Sequence, residues 1–261
     1  MTQATVWQEI LAETRELVAR SARGAGRTIE LSPELAARLQ AFVPTPVIEQ
    51  TDLFAVESAP APAAPALSAA AQADFDALRG IVAACERCGL CKTRKKTVFG
   101  VGDETADWMI VGEAPGAEED IQGEPFVGRS GQLLDAMLGA MGLGRSEGPA
   151  DRQVFIANVI KCRPPANRNP SPDEVARCEP YLRQQVALVK PKLLLAMGRF
   201  AAQSLLQTTD PIGRLRGQVH HYQGIPVVVT YHPSYLLRPY NQNAKREAWE
   251  DLKKVLHYVY D

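Results

Sequence analysis

Four short apolar segments alternate with helical patterns, and this alternation limits the possible folds of the chain more than any other feature. The segments are WMIVG at 108–112, VFIANVI at 154–160, KLLLAM at 192–197 and IPVVVT at 225–230. The helical patterns between and after them lie at 130–141, 172–189, 199–207 and 242–258. Strands that alternate with helices predict an α/β fold, a three-layer α/β/α arrangement with a mainly parallel central sheet.

Two of these helices have recognisable starts. Ser171 is the expected N-cap of the helix at 172–189, Pro172 suits its first position, and Glu174 completes a capping box. Ser130 is likewise the expected start of the helix at 130–141.

A Pro/Ala tract, ESAPAPAAPALSAAAQA at 57–73, divides the chain. Such tracts form extended, semi-rigid linkers. Before it, residues 1–56 contain two amphipathic helical patterns, which predict a small helical N-terminal appendage that could dock a protein partner. After it, residues 74–261 form the expected working domain.

The chain has five cysteines, and their spacing indicates a site made of four sulfurs. Cys85 and Cys88 form a C-x2-C pair within CERCGLC, while Cys162 and Cys178 form a C-x15-C pair. Thiolates at such spacings hold zinc or an iron–sulfur cluster. Spacing alone does not show whether Cys88 or Cys91 is the thiol left outside the site. It also does not decide between zinc and an iron–sulfur cluster.

The terminus and the apolar runs favour a cytoplasmic protein with reduced cysteines. MTQATVWQEI lacks the pattern of a secretory signal, and no apolar run reaches the roughly 18 residues of a membrane span. In a reducing compartment, metal or cluster binding is more probable for cysteines than disulfides are.

A basic stretch, KTRKK at 92–96, follows the first cysteines directly. The formal net charge of the chain is −1, so composition does not point to nucleic acid. A local cluster of lysine and arginine can nevertheless bind phosphates, and the alternative is a solvated basic loop.

Polar residues follow the predicted strands, where parallel sheets bind their ligands. The first strand leads into a glycine-rich acidic loop, GEAPGAEEDIQGEPFVGRSGQLL at 112–134, which is neither a Walker A loop nor a dinucleotide fingerprint. Asn158 lies near the end of the second strand and His232 follows the fourth. Each could be structural, or each could take part in a site.

Taken together, the motifs resemble those of the family 4 uracil-DNA glycosylases, the iron–sulfur branch of their superfamily. The stretches that carry the resemblance are CERCGLC, VFGVGD, GEAPGAEEDIQGEPFVGRSGQLL, NVIKCRPPANRNPSPDEVARC and TYHPSYLLR, which span about residues 85–240. The family implies a uracil-DNA glycosylase-like fold and excision of uracil from DNA, single- or double-stranded, by hydrolysis of the N-glycosidic bond. It also implies a role in base excision repair, and we expect a monomer.

The resemblance also implies the ligands of a [4Fe–4S] cluster. They fall on Cys85, Cys88, Cys162 and Cys178 and leave Cys91 free. In this interpretation the cluster joins the N-terminal loop to the core, and KTRKK is held where it meets DNA phosphates.

The catalytic and substrate-binding residues are implied in the same way. Glu113 and Glu119 match the carboxylates on the water side, and His232 matches the donor to the uracil oxygen. The superfamily's familiar aspartate at the third position of the first motif is Ala114 here, so the catalytic carboxylate must come from another position. The substrate-binding positions are Phe126, which stacks on the base, Asn158, which pairs with its edge, and Asn167 and Ala114.

Two other hypotheses belong to different classes. A non-enzymatic iron–sulfur DNA-binding or polymerase-associated module would share the cysteines and the basic loop. It would have no use for Phe126, Asn158 and His232 together, so their joint presence favours the enzyme. A zinc protein could use the same four thiolates.

Overall fold

A computed structural model describes residues 75–145, 152–239 and 241–260 of the chain. The predicted appendage at 1–56 and the linker at 57–73 lie outside these residues and remain predictions. Within the described ranges, none of the helices is long and apolar enough to cross a bilayer.

The described strands form one six-stranded sheet in the order β1-β3-β2-β4-β6-β5. The inner strands run parallel to one another, and the two edge strands pair antiparallel. The strands are β1 Val101–Gly102, β2 Trp108–Gly112, β3 Val154–Asn158, β4 Leu193–Met197, β5 Val219–Tyr222 and β6 Ile225–Thr230.

Eight α-helices and two short 3-10 turns connect or flank these strands in the described ranges. The turns are Gly89–Lys92 and Pro165–Asn167. The helices are α1 Phe75–Ala83, α2 Ala117–Gln122, α3 Arg129–Ala140, α4 Pro172–Val189, α5 Arg199–Leu206, α6 Ile212–Leu215, α7 Pro233–Leu236 and α8 Gln242–Tyr260.

Helices cover both faces of the sheet, and the inner strands are therefore buried throughout. Every residue of β2, β3 and β4 is buried, as expected for central parallel strands. Alternate residues such as Val111, Leu194 and Val229 join one apolar cluster with residues of α1, α4 and α5. Helix α8 contacts β6 and β4 and buries Ala248 and Leu252. The predicted α/β class with a mainly parallel sheet is confirmed.

The predicted inner strands and long helices agree with the structure to within a few residues. The edge strands β1 and β5, the short helices α2, α6 and α7, and the nine-residue helix α1 were not predicted. All of these except α1 contain two to six residues, too few to show a clear hydrophobic period.

The expected start of α3 at Ser130 is wrong. The helix begins at Arg129 with Gly128 as its N-cap, and Ser130 lies in the first turn. Gly128 has no side chain to accept a hydrogen bond, but its own N–H donates to Glu119 Oε1 at 3.1 Å. A carboxylate from the preceding helix therefore accepts from the N–H of the N-cap residue, which in a capping box is the role of the glutamate in the first turn.

The other predicted cap is confirmed and supports a test of stability. Glu174 N–H donates to Ser171 Oγ at 3.3 Å, and Ser171 N–H donates to Glu174 Oε2 at 2.8 Å. We expect Ser171→Ala to lower the free energy of unfolding by about 1 kcal/mol and the melting temperature by about 2–4 °C. Thermal unfolding followed by circular dichroism measures both.

Ser130→Ala is the matched control. The serine sits inside the first turn of α3, where alanine is a better helix former, so no loss of stability is expected. An equal loss in the two variants would contradict the cap assignment.

Candidate active site

Gly112 marks the centre of a site at the carboxyl ends of the inner strands. It ends β2 and lies opposite Asn158, the last residue of β3. A Cβ atom on Gly112 would lie 2.3 Å from Asn158 Oδ1 and 2.6 Å from Phe126 Cζ. Since both contacts are far too short, only glycine lets the two side chains meet over this backbone.

The Asn158 side chain is buried and lacks a partner for its oxygen. The residue is 2% exposed, and Oδ1 accepts no hydrogen bond from any described residue. An unpaired buried polar atom costs about 1–3 kcal/mol, and a ligand that pairs with the atom removes that cost. The Asn158 amide is therefore the best candidate for contacting a polar ligand in this site.

A buried lysine supports the backbone behind this amide. Lys161 Nζ donates to the Asn158 carbonyl oxygen and to Gln185 Oε1, both at 2.6 Å. Gln185 Nε2 in turn donates to the Phe99 carbonyl oxygen at 2.9 Å. The turn that follows β3 is thus tied into the core.

Phe126 and His232 form one wall of the site. Their rings stack with centroids 5.3 Å apart and an interplanar angle of 25°. The two rings are too close together for a third planar ring to lie between them. A flat ligand must therefore lie against this wall and not within it.

His232 is held with one ring nitrogen free. Its Nδ1 accepts from the Ser234 backbone N–H at 3.1 Å and lies 2.8 Å from Ser234 Oγ. The proton of the neutral ring is therefore on Nε2. Burial lowers the pKa of His232 to about 4, although the Glu119 carboxylate acts in the opposite direction. At neutral pH the residue offers an uncharged N–H donor.

The segment before His232 is anchored to α8. The Arg216 guanidinium lies 4.2 Å from the centre of the Tyr231 ring, and Arg216 Nε donates to Asp251 Oδ2 at 2.7 Å. The Tyr231 hydroxyl donates to Glu247 Oε2 at 2.7 Å. These contacts hold the loop that presents the histidine.

Glu113 follows Gly112 and has an unusual ionisation. Burial raises the pKa of its carboxyl to about 7, while the Arg199 guanidinium at the start of α5 lowers it. Near neutral pH this carboxyl can take up or release a proton, as a general base requires.

Glu119, the second carboxylate predicted for the site, accepts hydrogen bonds from the backbone. Its Oε2 accepts from Gly116 N–H at 3.1 Å, and its Oε1 accepts from Val127 N–H at 3.0 Å and Gly128 N–H at 3.1 Å. Oε1 therefore holds the loop that carries Phe126, whereas Oε2 accepts from the N-cap residue of α2, the helix to which Glu119 itself belongs.

The two remaining predicted positions differ in their surroundings. Ala114 is half-buried and packs against the core beside Glu113. Asn167 is exposed on the turn at 165–167, with a left-handed backbone (φ 53°), and its Oδ1 accepts from Arg163 Nε at 2.7 Å. The site described above therefore combines Phe126, Asn158 and His232, whereas Asn167 lies on an exposed turn.

The four predicted thiols line one small cavity beside this site. Cys85, Cys88, Cys162 and Cys178 surround it, and Cys91 is not among the residues that line it. All five cysteines are free thiols.

The surroundings of the cavity suit an anionic iron–sulfur group. Three of the sulfurs accept a hydrogen bond at 3.2 Å: Cys85 from Tyr181 Oη, Cys162 from Arg94 Nη1 and Cys178 from the Lys161 backbone N–H. Arg87, Lys161 and Arg177 also line the cavity, against the single carboxylate of Glu174.

The described residues include no group of three or more His, Cys, Asp or Glu placed to hold a single metal ion. The four thiols that line one cavity match in number and type the four cysteine ligands of an iron–sulfur cluster.

The basic loop beside the cavity is held from two sides. Asp120, a buried residue of α2, accepts from the backbone N–H groups of Lys95 (2.9 Å) and Lys96 (3.4 Å). Arg94 points inward to Cys162, whereas Lys92, Lys95 and Lys96 are exposed.

Two contributors to the site were not identified from the sequence. Lys161 precedes Cys162 in a predicted motif, but its reach back to Asn158 depends on the turn between them. Arg145 belongs to no motif, and it donates to the carbonyl oxygens of Pro125 and Phe126. No local pattern indicates that contact, since its partners lie about twenty residues away.

Comparison with known proteins shows the family to which the chain is similar. The family model of the uracil DNA glycosylase superfamily matches residues 99–253. A type-4 uracil-DNA glycosylase of Archaeoglobus fulgidus is 41% identical over 188 residues, 69% of this chain and 90% of the relative. Type-4 uracil-DNA glycosylases of Pyrobaculum aerophilum (41%) and Saccharolobus solfataricus (38%) match 63% and 70% of this chain and 85% of their own lengths.

The ionisation of His232 can be tested directly. The ordinary pKa of histidine is about 6.5, and that of the folded residue is lowered to about 4. We expect ¹H–¹⁵N NMR of labelled histidine to show a neutral ring, protonated on Nε2, from pH 7 down to about pH 5.

The same shift affects stability. Between about pH 6.5 and pH 4 the unfolded chain binds this proton and the folded chain does not, so the contribution of His232 to stability falls as the pH falls. His232→Gln should remove that part of the pH dependence. A ring that titrates near pH 6.5 in the folded protein would contradict the burial argument.

Proposed function

This chain belongs to the uracil DNA glycosylase superfamily, and we propose how its pocket removes uracil from DNA. The enzyme is a DNA glycosylase that hydrolyses the bond between uracil and deoxyribose, the first step of base excision repair. The observation that carries the proposal is the meeting of an unpaired buried amide, an aromatic wall and an uncharged N–H donor beside Gly112.

Recognition depends on the Asn158 amide. A glycosylase extrudes its target nucleotide from the helix and reads the edge of the base. An amide offers one acceptor and two donor hydrogens, so it can pair with N3–H and O4 of uracil. Cytosine has an amine in place of O4 and no N3–H, and each unpaired group in the pocket would cost about 1–3 kcal/mol. Phe126 provides the apolar face on which the base stacks.

His232 acts on the leaving group. As the glycosidic bond breaks, its electron pair moves to uracil, and negative charge builds on the base oxygens. The Nε2–H of the neutral His232 ring donates to that oxygen, an interaction that typically contributes about 3–4 kcal/mol in the transition state.

Glu113 acts on the other side of the sugar. In its ionised form the carboxylate orients a water molecule, favours the cationic sugar, and takes the proton when the water oxygen bonds to C1′. Ala114, where the superfamily's familiar aspartate stands, has no group for this step. We assign Glu119 a supporting role, because its Oε1 holds the Phe126 loop and its Oε2 accepts from Gly116 N–H at the start of α2. Asn167 remains a polar position for the substrate strand.

We propose that Cys85, Cys88, Cys162 and Cys178 hold a [4Fe–4S] cluster. When bound, the cluster supplies iron–thiolate bonds that join the turn at 85–88 to the segment at 162–178. Arg94, which donates to Cys162 Sγ, and the cationic residues that line the cavity offset its negative charge.

DNA is the macromolecular partner, and the exposed lysines of KTRKK are placed to contact its phosphates. Their backbone is fixed by Asp120 beside the cysteine cavity. Such contacts add affinity that is independent of sequence and falls with salt. We further propose a monomer located in the cytoplasm, whose residues 1–56 dock a protein partner.

Metal analysis tests the cluster assignment. We expect about four irons per chain in protein purified without oxygen, with broad visible absorption. Ser in place of Cys85, Cys88, Cys162 or Cys178 should lower the iron content and the absorbance. Cys91→Ser is the matched control and should keep both. One zinc per chain, or an equal loss in Cys91→Ser, would contradict the assignment.

The rate of uracil release over pH tests the function and the role of Glu113. The parent should release uracil from a uracil-containing oligonucleotide, and its single-turnover rate should rise with pH through about 7 as Glu113 ionises. The single-turnover rate of Glu113→Gln should be lower by about 100-fold or more and should no longer rise with pH through this range. Alkali cleavage and gel separation measure both.

Glu124→Gln removes an exposed carboxylate of the loop that follows α2 and should leave the profile unchanged. A parent enzyme that releases no uracil would refute the proposed function. If the parent is active but the rate of Glu113→Gln still rises with pH, only the role of Glu113 is refuted.

A further inference from the structure

Phe126, the aromatic wall of the pocket, has a strained backbone. Its φ is 55°, in the left-handed region that residues with a β-carbon seldom adopt. Such a conformation typically costs about 1–3 kcal/mol and persists only where its surroundings impose it.

Hydrogen bonds at both ends of one peptide group impose this backbone conformation. The carbonyl oxygen of Phe126 accepts from Arg145 Nη2 at 2.5 Å. The N–H at the other end of that peptide, on Val127, donates to Glu119 Oε1 at 3.0 Å. Gly131 leaves space for the carbonyl, since a Cβ there would lie 1.7 Å from the Phe126 oxygen.

Arg145 donates hydrogen bonds to this loop, and an ion pair fixes its own position. Its Nη1 donates to the Pro125 carbonyl oxygen at 2.7 Å, and its Nε pairs with Asp135 of α3 at 2.5 Å. Its side chain is 17% exposed. A guanidinium can direct donors to two successive carbonyls and a carboxylate at once, and a lysine ammonium cannot reproduce that planar geometry.

From these contacts we propose that Arg145, which belongs to none of the sequence motifs, is a positioning residue for uracil excision. It fixes the Phe126–Val127 peptide, and thereby the Phe126 ring, at Gly112 and against His232. The inference rests on the proposed function of the pocket. It adds a residue that never touches the base but determines where the base stacks.

The expected consequence of losing Arg145 follows from geometry. Without its two carbonyl bonds the Phe126 backbone relaxes toward an unstrained conformation, and the ring leaves its place over Gly112. A displacement of about 1 Å in a positioning group can cost about 100-fold in rate. The cysteine cavity contains no residue of this loop, so iron binding is unaffected.

The test compares Arg145→Met, Arg145→Lys and the control Arg214→Met in the full-length, iron-loaded protein. Arg214 is an exposed arginine paired with Asp210, so its variant loses the same charge without touching the pocket. The readouts are the single-turnover rate constant on uracil-containing DNA, inhibition by free uracil, affinity for uracil-free DNA and iron content.

For Arg145→Met we expect a rate constant about 10- to 100-fold lower and weaker inhibition by free uracil, with iron content and affinity for uracil-free DNA as in the parent. Arg145→Lys should lie between this variant and the parent. Arg214→Met should match the parent. A merely structural role would lower the fraction of active enzyme but leave the rate constant and free-uracil inhibition of the active molecules unchanged.

Parent-like rate constants and free-uracil inhibition in both Arg145 variants would overturn the inference. If Arg145→Met does not fold, Arg145→Lys decides, and a parent-like rate in that variant overturns the inference by itself. If the parent releases no uracil, the proposed function fails independently of Arg145.

Discussion

The missing side chain at Gly112 is the constraint on which the pocket depends. Parallel pairing of β2 with β3 brings Asn158 beside Gly112, and the Phe126 ring approaches the same backbone from the following loop. A single methyl group at Gly112 would separate the amide from the ring. Since His232 stacks on that ring, the whole site depends on this contact.

Burial then moves two titratable groups in opposite directions. Removing a group from water disfavours its charged form, so the pKa of Glu113 rises to about 7 and that of His232 falls to about 4. One desolvated site thereby holds a carboxyl that can ionise near neutral pH and an imidazole that stays uncharged. This pair of states suits attack by water on one side of the sugar and departure of an anionic base on the other.

The turn after β3 links the base pocket to the cysteine cavity. Lys161 Nζ supports the Asn158 carbonyl, while the backbone N–H of the same residue donates to Cys178 Sγ. Cys162 follows directly in the chain. Movement of the cavity wall would therefore reach Asn158, the residue proposed to read the base. On the other side of the pocket, Arg145 and Glu119 hold the Phe126 loop without any contribution from the cysteines.

The inner strands, the long helices and the Ser171 cap could be predicted from the sequence, because periodicity and capping are local properties of the chain. The spacing of the cysteines predicted a four-sulfur site but did not choose between Cys88 and Cys91, and the family resemblance supplied that choice. The family motifs also indicated Asn158, Phe126 and His232 as site residues. The use of Glu119 as a backbone acceptor, the cap of α3 at Gly128 and the Arg145 contact to Phe126 could not be predicted. Each is a hydrogen bond between segments that only the folded chain brings together, so residue type and local spacing do not indicate it. The sequence by itself determined which side chains are available, and the tertiary structure decided which of them meet, because that depends on long-range packing around the sheet.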